Sequence, residues 1–235
     1  MAVTLGEGFL AVAILAGVGL CLLGGYCYRR WTEPGVGPYA AVAVVLGLGG
    51  IAGAAVALFY GRVMPEGVVP LWSNVALTGW VLAMVPWVFF AFEYTGRYER
   101  IRWRTRAAIA SPVVGAMLLL VLEGIAIPSN VLTQLFGTVA LLYTFGLVAV
   151  GSYLLVRTTY EYGHLSLLQG ASLTIGGVAP LVLLNVVGTT GGGLHSAVVS
   201  GIYAMAFVTP LFGFLVAVFR YEMFDSTPAA GAIGE

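Results

Sequence analysis

The stretch LGEGFLAVAILAGVGLCLLGGYCYRR, residues 5–30, decides the fold. Twenty-four residues containing a single acid, Glu7, run unbroken to Tyr28 and are stopped by Arg29 and Arg30. At ~1.5 Å per residue a helix of that length crosses the ~30 Å hydrocarbon core of a bilayer. A secretory signal peptide has a basic start, a shorter apolar centre and a small-residue cleavage site. Here no basic residue precedes the apolar run, so the stretch reads as an uncleaved first membrane span. Cys21 and Cys27 lie on different faces of such a helix, which argues against a disulfide between them.

Working outward, the same pattern recurs six times. Further apolar spans are expected at residues 39–61, 71–94, 107–127, 131–156, 165–188 and 197–219. Over the whole chain of 235 residues, 60% are hydrophobic and 9% are charged, against roughly 25% charged in soluble domains. Mean hydropathy is +0.99. The 33 glycines are about twice the usual share, as suits membrane helices whose backbones approach closely. The fold class is therefore all-α, an integral membrane bundle of seven transmembrane helices. Residues 1–225 form the transmembrane domain, and 226–235 a flexible tail or the start of a linker. The formal net charge of zero gives no electrostatic case for nucleic acid; the partner the composition demands is the lipid bilayer.

Orientation follows from the ten arginines, the only basic side chains apart from two histidines, since lysine is absent. Counting seven spans from an outside N-terminus, the cytoplasmic connections hold Arg29, Arg30, Arg97, Arg100, Arg102, Arg104, Arg106, Arg157 and Arg220. The outer ones hold only Arg62. Such a bias in short loops sets the C-terminus in the cytoplasm of a multi-pass protein of the cell membrane.

Ionisable and polar groups at membrane depth are the candidates for function. Glu123 lies about four residues from the outer end of the fourth span. Asn185, Asn74 and Gln134 fall at the same depth, and with Glu123 they are a candidate outward-facing ligand pocket. Glu93 and Arg97, four apart, are an expected structural pair on a continuing helix. The basic run holding Arg100, Arg102, Arg104 and Arg106, with Tyr98 and Trp103 beside it, meets the anionic headgroups. Pro86, Pro112, Pro180 and Pro210 bend their spans, and Gly49, Gly50 and Gly53 form a small-residue face suited to packing within the bundle.

Some chemistries are excluded. A retinal Schiff base needs a lysine, and there is none. His164 and His195 fall on opposite sides of the membrane, so they cannot share a haem or metal. No phosphate-binding loop and no soluble ATP-binding domain is present, so no catalytic residue, cofactor or metal is expected.

Three segments carry a family resemblance. The run from Trp87 to Phe92, then Glu93-Tyr94-Thr95-Gly96-Arg97 and a train of arginines, resembles the N-terminal seven-helix sensor region of prokaryotic (archaeal and bacterial) histidine kinases. Gln169-Gly170 through Pro180 to Asn185 looks like that family's Gln…Pro…Asn helix. The exit Phe219-Arg220-Tyr221-Glu222-Met223-Phe224-Asp225, with Pro228 after it, is similar to the family's Phe-Arg-Tyr-Arg-Leu-x-Asp-x-x-Pro ending. The resemblance implies a homodimer and a two-component signalling role, with Arg220, Tyr221 and Asp225 as the output segment. Two departures accompany it. Ile127 to Asn130 stand in place of a longer outer loop, and the chain closes ten residues after Asp225 without a phosphoacceptor or ATP-binding domain. The expectation is either the sensor part of a longer kinase or a stand-alone relative that signals through a cytoplasmic partner. A small transporter or channel, or a structural subunit without ligand, are the competing readings.

Overall fold

The structure, a computed structural model, describes the backbone of residues 4–30, 32–60, 70–96, 101–125, 131–162, 167–189, 197–221 and 223–224. Side chains are described for all of these except 60, 70–74, 119–125, 131–134, 136, 161–162 and 188–189. Each apolar stretch is a helix: α1 Leu5–Tyr28, α2 Val36–Tyr60, α3 Pro70–Tyr94, α4 Trp103–Ile125, α5 Val131–Tyr162, α6 Leu167–Thr189 and α7 Ala197–Leu215. A wide π-type turn, Val216–Arg220, continues α7. No strand occurs among the described residues. Among the described residues, α1, α2, α3, α5, α6 and α7 are each long and apolar enough to cross a membrane.

The lone acid of α1 has a local reason. The Thr4 hydroxyl accepts from the Glu7 N–H, while the Glu7 carboxylate accepts from the Thr4 N–H at 3.0 Å. This capping box satisfies two donors that the first turn leaves open. Elsewhere the helices outrun the hydropathy. α4 begins at Trp103 rather than 107, and α5 continues to Tyr162 rather than 156. Hydropathy reports where the membrane ends, whereas a helix stops where its backbone bonding stops.

Successive helices alternate in direction. Gly17 meets Gly47 and Gly24 meets Ala40, so α1 and α2 run antiparallel. Gly49 abuts Gly79 of α3. Trp80 bonds Gly177 while Tyr94 bonds Gln169, which sets α3 against α6. Gly19 meets Leu211 and Tyr26 meets Phe219, so α1 and α7 are parallel. α4 lies at the margin, where the Tyr143 hydroxyl of α5 donates to the Ile109 carbonyl at 3.0 Å. One end of the bundle thus gathers the ends of α1, α3, α5 and α7 with the starts of α2, α4 and α6. Arg29, Arg30, Arg102, Arg104, Arg106, Arg157 and Arg220 all belong to that end.

The interior is aromatic. Tyr39, Trp80, Trp87, Phe90, Tyr203, Phe207 and Phe214 are fully buried. The outer surface is apolar as well: Leu15, Leu22, Leu142 and Phe212 are each at least 65% exposed. A surface of that kind is stable only against lipid. Lipid tails are as apolar as the core, so helix association depends on close approach and directed hydrogen bonds. A Cβ on Gly47 would fall 2.5 Å from the Gly17 carbonyl oxygen. Gly49 and Gly50 pack on Gly79 and on the Phe207 ring, so this small-residue face works inside the bundle. Both Cys21 and Cys27 are free thiols.

Gly47→Ala must push α1 and α2 apart and is expected to cost about 1–3 kcal/mol. Gly25→Ala, with nothing within 4 Å of the added methyl, is expected to be neutral or slightly stabilising. Thermal unfolding of the two variants in detergent separates these outcomes.

Candidate functional site

At the basic end, four consecutive residues close α3 and each does a different job. Glu93 is 3% exposed. A carboxylate taken that far from solvent costs several kcal/mol unless donors surround it. Its Oε1 takes a 2.5 Å hydrogen bond from Arg106 Nη2 in α4. Oε2 accepts from the Gly35 N–H at 3.2 Å, and Oε1 also accepts weakly from the Ile101 N–H at 3.5 Å. One charge therefore ties the turn before α2, the end of α3 and the start of α4. Arg106 lies over the Phe89 ring at 5.8 Å, a cation–π contact that holds the guanidinium against α3.

Tyr94 turns toward α6, where its hydroxyl accepts from Gln169 Nε2 at 2.9 Å. Thr95 ends the helix by donating from its hydroxyl to the Ala91 carbonyl at 2.7 Å. Gly96 has φ +70°, and its N–H donates to the Glu93 carbonyl. That left-handed residue is the usual helix stop and favours glycine. Gly35, with φ +79°, is the second such position, packed on Tyr94 and Phe90. An L side chain there would strain the turn that presents its N–H to Glu93.

Four residues beyond Gly35, Tyr39 reaches α7. Its hydroxyl donates to the Phe214 carbonyl at 3.1 Å, just before the wide turn. Its ring contacts Phe90, Phe214 and, edge-on, Phe224, with centroids 5.2–5.4 Å apart. Met223 is 1% exposed, so the chain leaving α7 is seated on the bundle. Trp87 stacks on Phe214 and packs against Gly151 and Gly177. Its indole N–H has no hydrogen-bond partner among the described residues, whereas the Trp80 N–H donates to the Gly177 carbonyl at 3.2 Å.

The residues singled out from the sequence fall into three groups. Arg220 is exposed, Tyr221 is half-buried, and Asp225 lies outside the described residues. Arg102 and Arg104 are exposed; Arg97 and Arg100, like His164 and His195, lie outside the described residues. The Glu93–Arg97 spacing presumes a continuing helix, yet α3 ends at Tyr94; the cation observed on Glu93 is Arg106. Asn74, Glu123 and Gln134 sit on helical backbone at the opposite end, and their side chains lie outside the described residues. Asn185, at that same end, is exposed and donates to the Leu181 carbonyl one turn back at 2.7 Å. Sequence reasoning missed Tyr39 and Gly35 entirely. The Glu33-Pro34-Gly35 turn was the available signal for Gly35; nothing local marks Tyr39.

The segments that carry the family resemblance are thus joined in space, Tyr94 to Gln169 and Phe224 to the Tyr39–Phe90 cluster. Over residues 10–228 the chain matches the family described as the N-terminal 7TM region of histidine kinase. The protein belongs to that family and is a multi-pass membrane protein. No match was found among curated proteins or among solved structures.

The two halves of the buried pair are unequal. Arg106 is 38% exposed and can rehydrate, whereas Glu93 cannot. Arg106→Gln is therefore expected to cost about 3 kcal/mol and Glu93→Gln about 1 kcal/mol. Equal costs in thermal unfolding, or the reverse order, would contradict this placement of the charge. The two tryptophans offer a second comparison. Trp80→Phe removes the indole bond to the Gly177 carbonyl, while Trp87→Phe removes an N–H that has no partner among the described residues. Trp80→Phe is expected to be the more destabilising by about 1 kcal/mol in the same assay.

Proposed function

We propose that this chain is a sensor module of a two-component-type system in the cell membrane, with its N-terminus outside and its C-terminus in the cytoplasm. α4 is the remaining crossing: its 23 residues span ~34 Å at ~1.5 Å per residue. This completes seven and sets the arginine-rich end inward. A stimulus acts at the opposite end, among Asn74, Glu123, Gln134 and Asn185. The response leaves through α7 to a cytoplasmic histidine kinase region or partner, and the modules pair as homodimers.

One observation carries the reading. The Tyr39 hydroxyl bonds the backbone of α7 at Phe214, just before the helix widens into a π-type turn. Such turns are a recurrent feature of functional sites in helices. A bistable output needs two arrangements of one element separated by a few kcal/mol. The Tyr39 hydroxyl bond, worth about 1 kcal/mol, is of the size that biases such an equilibrium without enforcing it. Membership of the histidine kinase 7TM family over residues 10–228 supports the same role.

The test fuses the whole chain in frame, after Glu235, to the phosphoacceptor and catalytic domains of a histidine kinase and reconstitutes the product in proteoliposomes. Tyr39→Phe keeps the ring contacts and removes the bond to Phe214. It is expected to shift basal autophosphorylation about fivefold. An unchanged rate in a folded variant would overturn the proposal that α7's seating on Tyr39 sets the output.

A further inference from the structure

The start of α4 carries more positive charge than the described residues neutralise. Arg102, Arg104 and Arg106 fall within five residues, and the first turn of α4 has no acidic residue. The cluster also sits at the positive end of the helix dipole, where cations are disfavoured. Arg106 is committed to Glu93. Among the described residues no carboxylate pairs with Arg102 or Arg104, and both are exposed.

The neighbouring side chain specifies what kind of anion fits. Trp103 is 73% exposed, with the Arg104 guanidinium 5.7 Å from its ring centre. An indole that projects from the rim of a lipid-facing bundle belongs at headgroup depth, its apolar body toward the acyl chains. Farther along α4, Val114 and Leu118 are exposed apolar residues that continue this surface toward the bilayer centre. The patch therefore offers two exposed guanidiniums, which no carboxylate among the described residues pairs, for a phosphate, an indole for the glycerol region and an apolar face for a tail. Guanidinium matches phosphate bidentately and is only weakly hydrated, so it suits this task better than an ammonium would.

We propose that Arg102, Trp103 and Arg104 form a binding site for one phosphate-bearing anionic phospholipid, of the phosphatidylglycerol type, at the start of α4. The site is distinct from the general attraction of a basic surface for an anionic leaflet, because it uses two named arginines and a tryptophan between them. It also sets a headgroup charge within a turn of Arg106, the cation that holds Glu93.

The experiment measures retained lipid by native mass spectrometry of the full chain extracted from equimolar phosphatidylcholine and phosphatidylglycerol. The intact protein is expected to keep phosphatidylglycerol preferentially. Arg102→Gln and Arg104→Gln should each lower that preference about fivefold, and Trp103→Ala should lower it without changing the charge. Arg29→Gln, an exposed arginine at the same end but outside the patch, should leave it intact. An equal loss from Arg29→Gln would overturn the proposal in favour of a diffuse surface effect. Displacement of the lipid by inorganic phosphate at modest concentration would overturn the lipid assignment, leaving a simple anion site. Lack of any preference in the intact protein would remove the site altogether.

Discussion

A buried carboxylate is the constraint around which the basic end of this bundle is arranged. Glu93 is nearly inaccessible, so its charge must be matched within the protein, and the partners come from the turn before α2 and from the start of α4. Holding Gly35 fixes the turn into α2, and that turn sets the register at which Tyr39 meets Phe214. Holding Arg106 fixes the start of α4. The exit of α7 and the entry of α4 are thereby referred to one charge, although neither helix touches the other in sequence.

The rest of the bundle is held by a different kind of force. With apolar side chains on both the inside and the outside, burial gives little preference for one packing over another. Specificity comes instead from glycine-to-backbone approaches such as Gly17–Gly47 and Gly49–Gly79, and from cross-helix hydrogen bonds. The bonds from Trp80 to Gly177 and from Tyr203 to Gly50 are each directed at a glycine carbonyl. Bonds of this kind are worth about 0.6–1.7 kcal/mol in membrane bundles. A few of them suffice to fix a register and few enough remain for a helix to shift.

The helices were legible in the sequence because membrane thickness imposes a length that hydropathy reports directly; α1 matches residue for residue. Boundaries at α4 and α5 were not, since those helices extend past the apolar zone into arginine- and threonine-bearing turns. Thr158 and Thr159 there satisfy their hydroxyls on the carbonyls four residues back and leave the helix intact. At the site, Glu93 was legible as an ionisable group at the end of a span, but Arg106, thirteen residues on in α4, was not legible as its partner. Spacing of four residues identifies a pair only while the helix continues, and Gly96 ends it with φ +70°. Tyr39 was invisible because what gives it meaning is a carbonyl 175 residues away. The contact exists only once α2 and α7 are side by side.

The central claim is that Glu93 sets the geometry from which α7 leaves the bundle. It is tested most directly by the distance distribution between spin labels at positions 104 and 220, both exposed at the basic end, in the reconstituted chain. A second pair at positions 5 and 198, both exposed at the other end, reports whether the bundle as a whole survives. The account predicts one narrow distribution for the 104–220 pair, which broadens and shifts in Glu93→Ala while the 5–198 pair stays narrow. An unchanged 104–220 distribution in that variant, or a collapse of both pairs together, would contradict it.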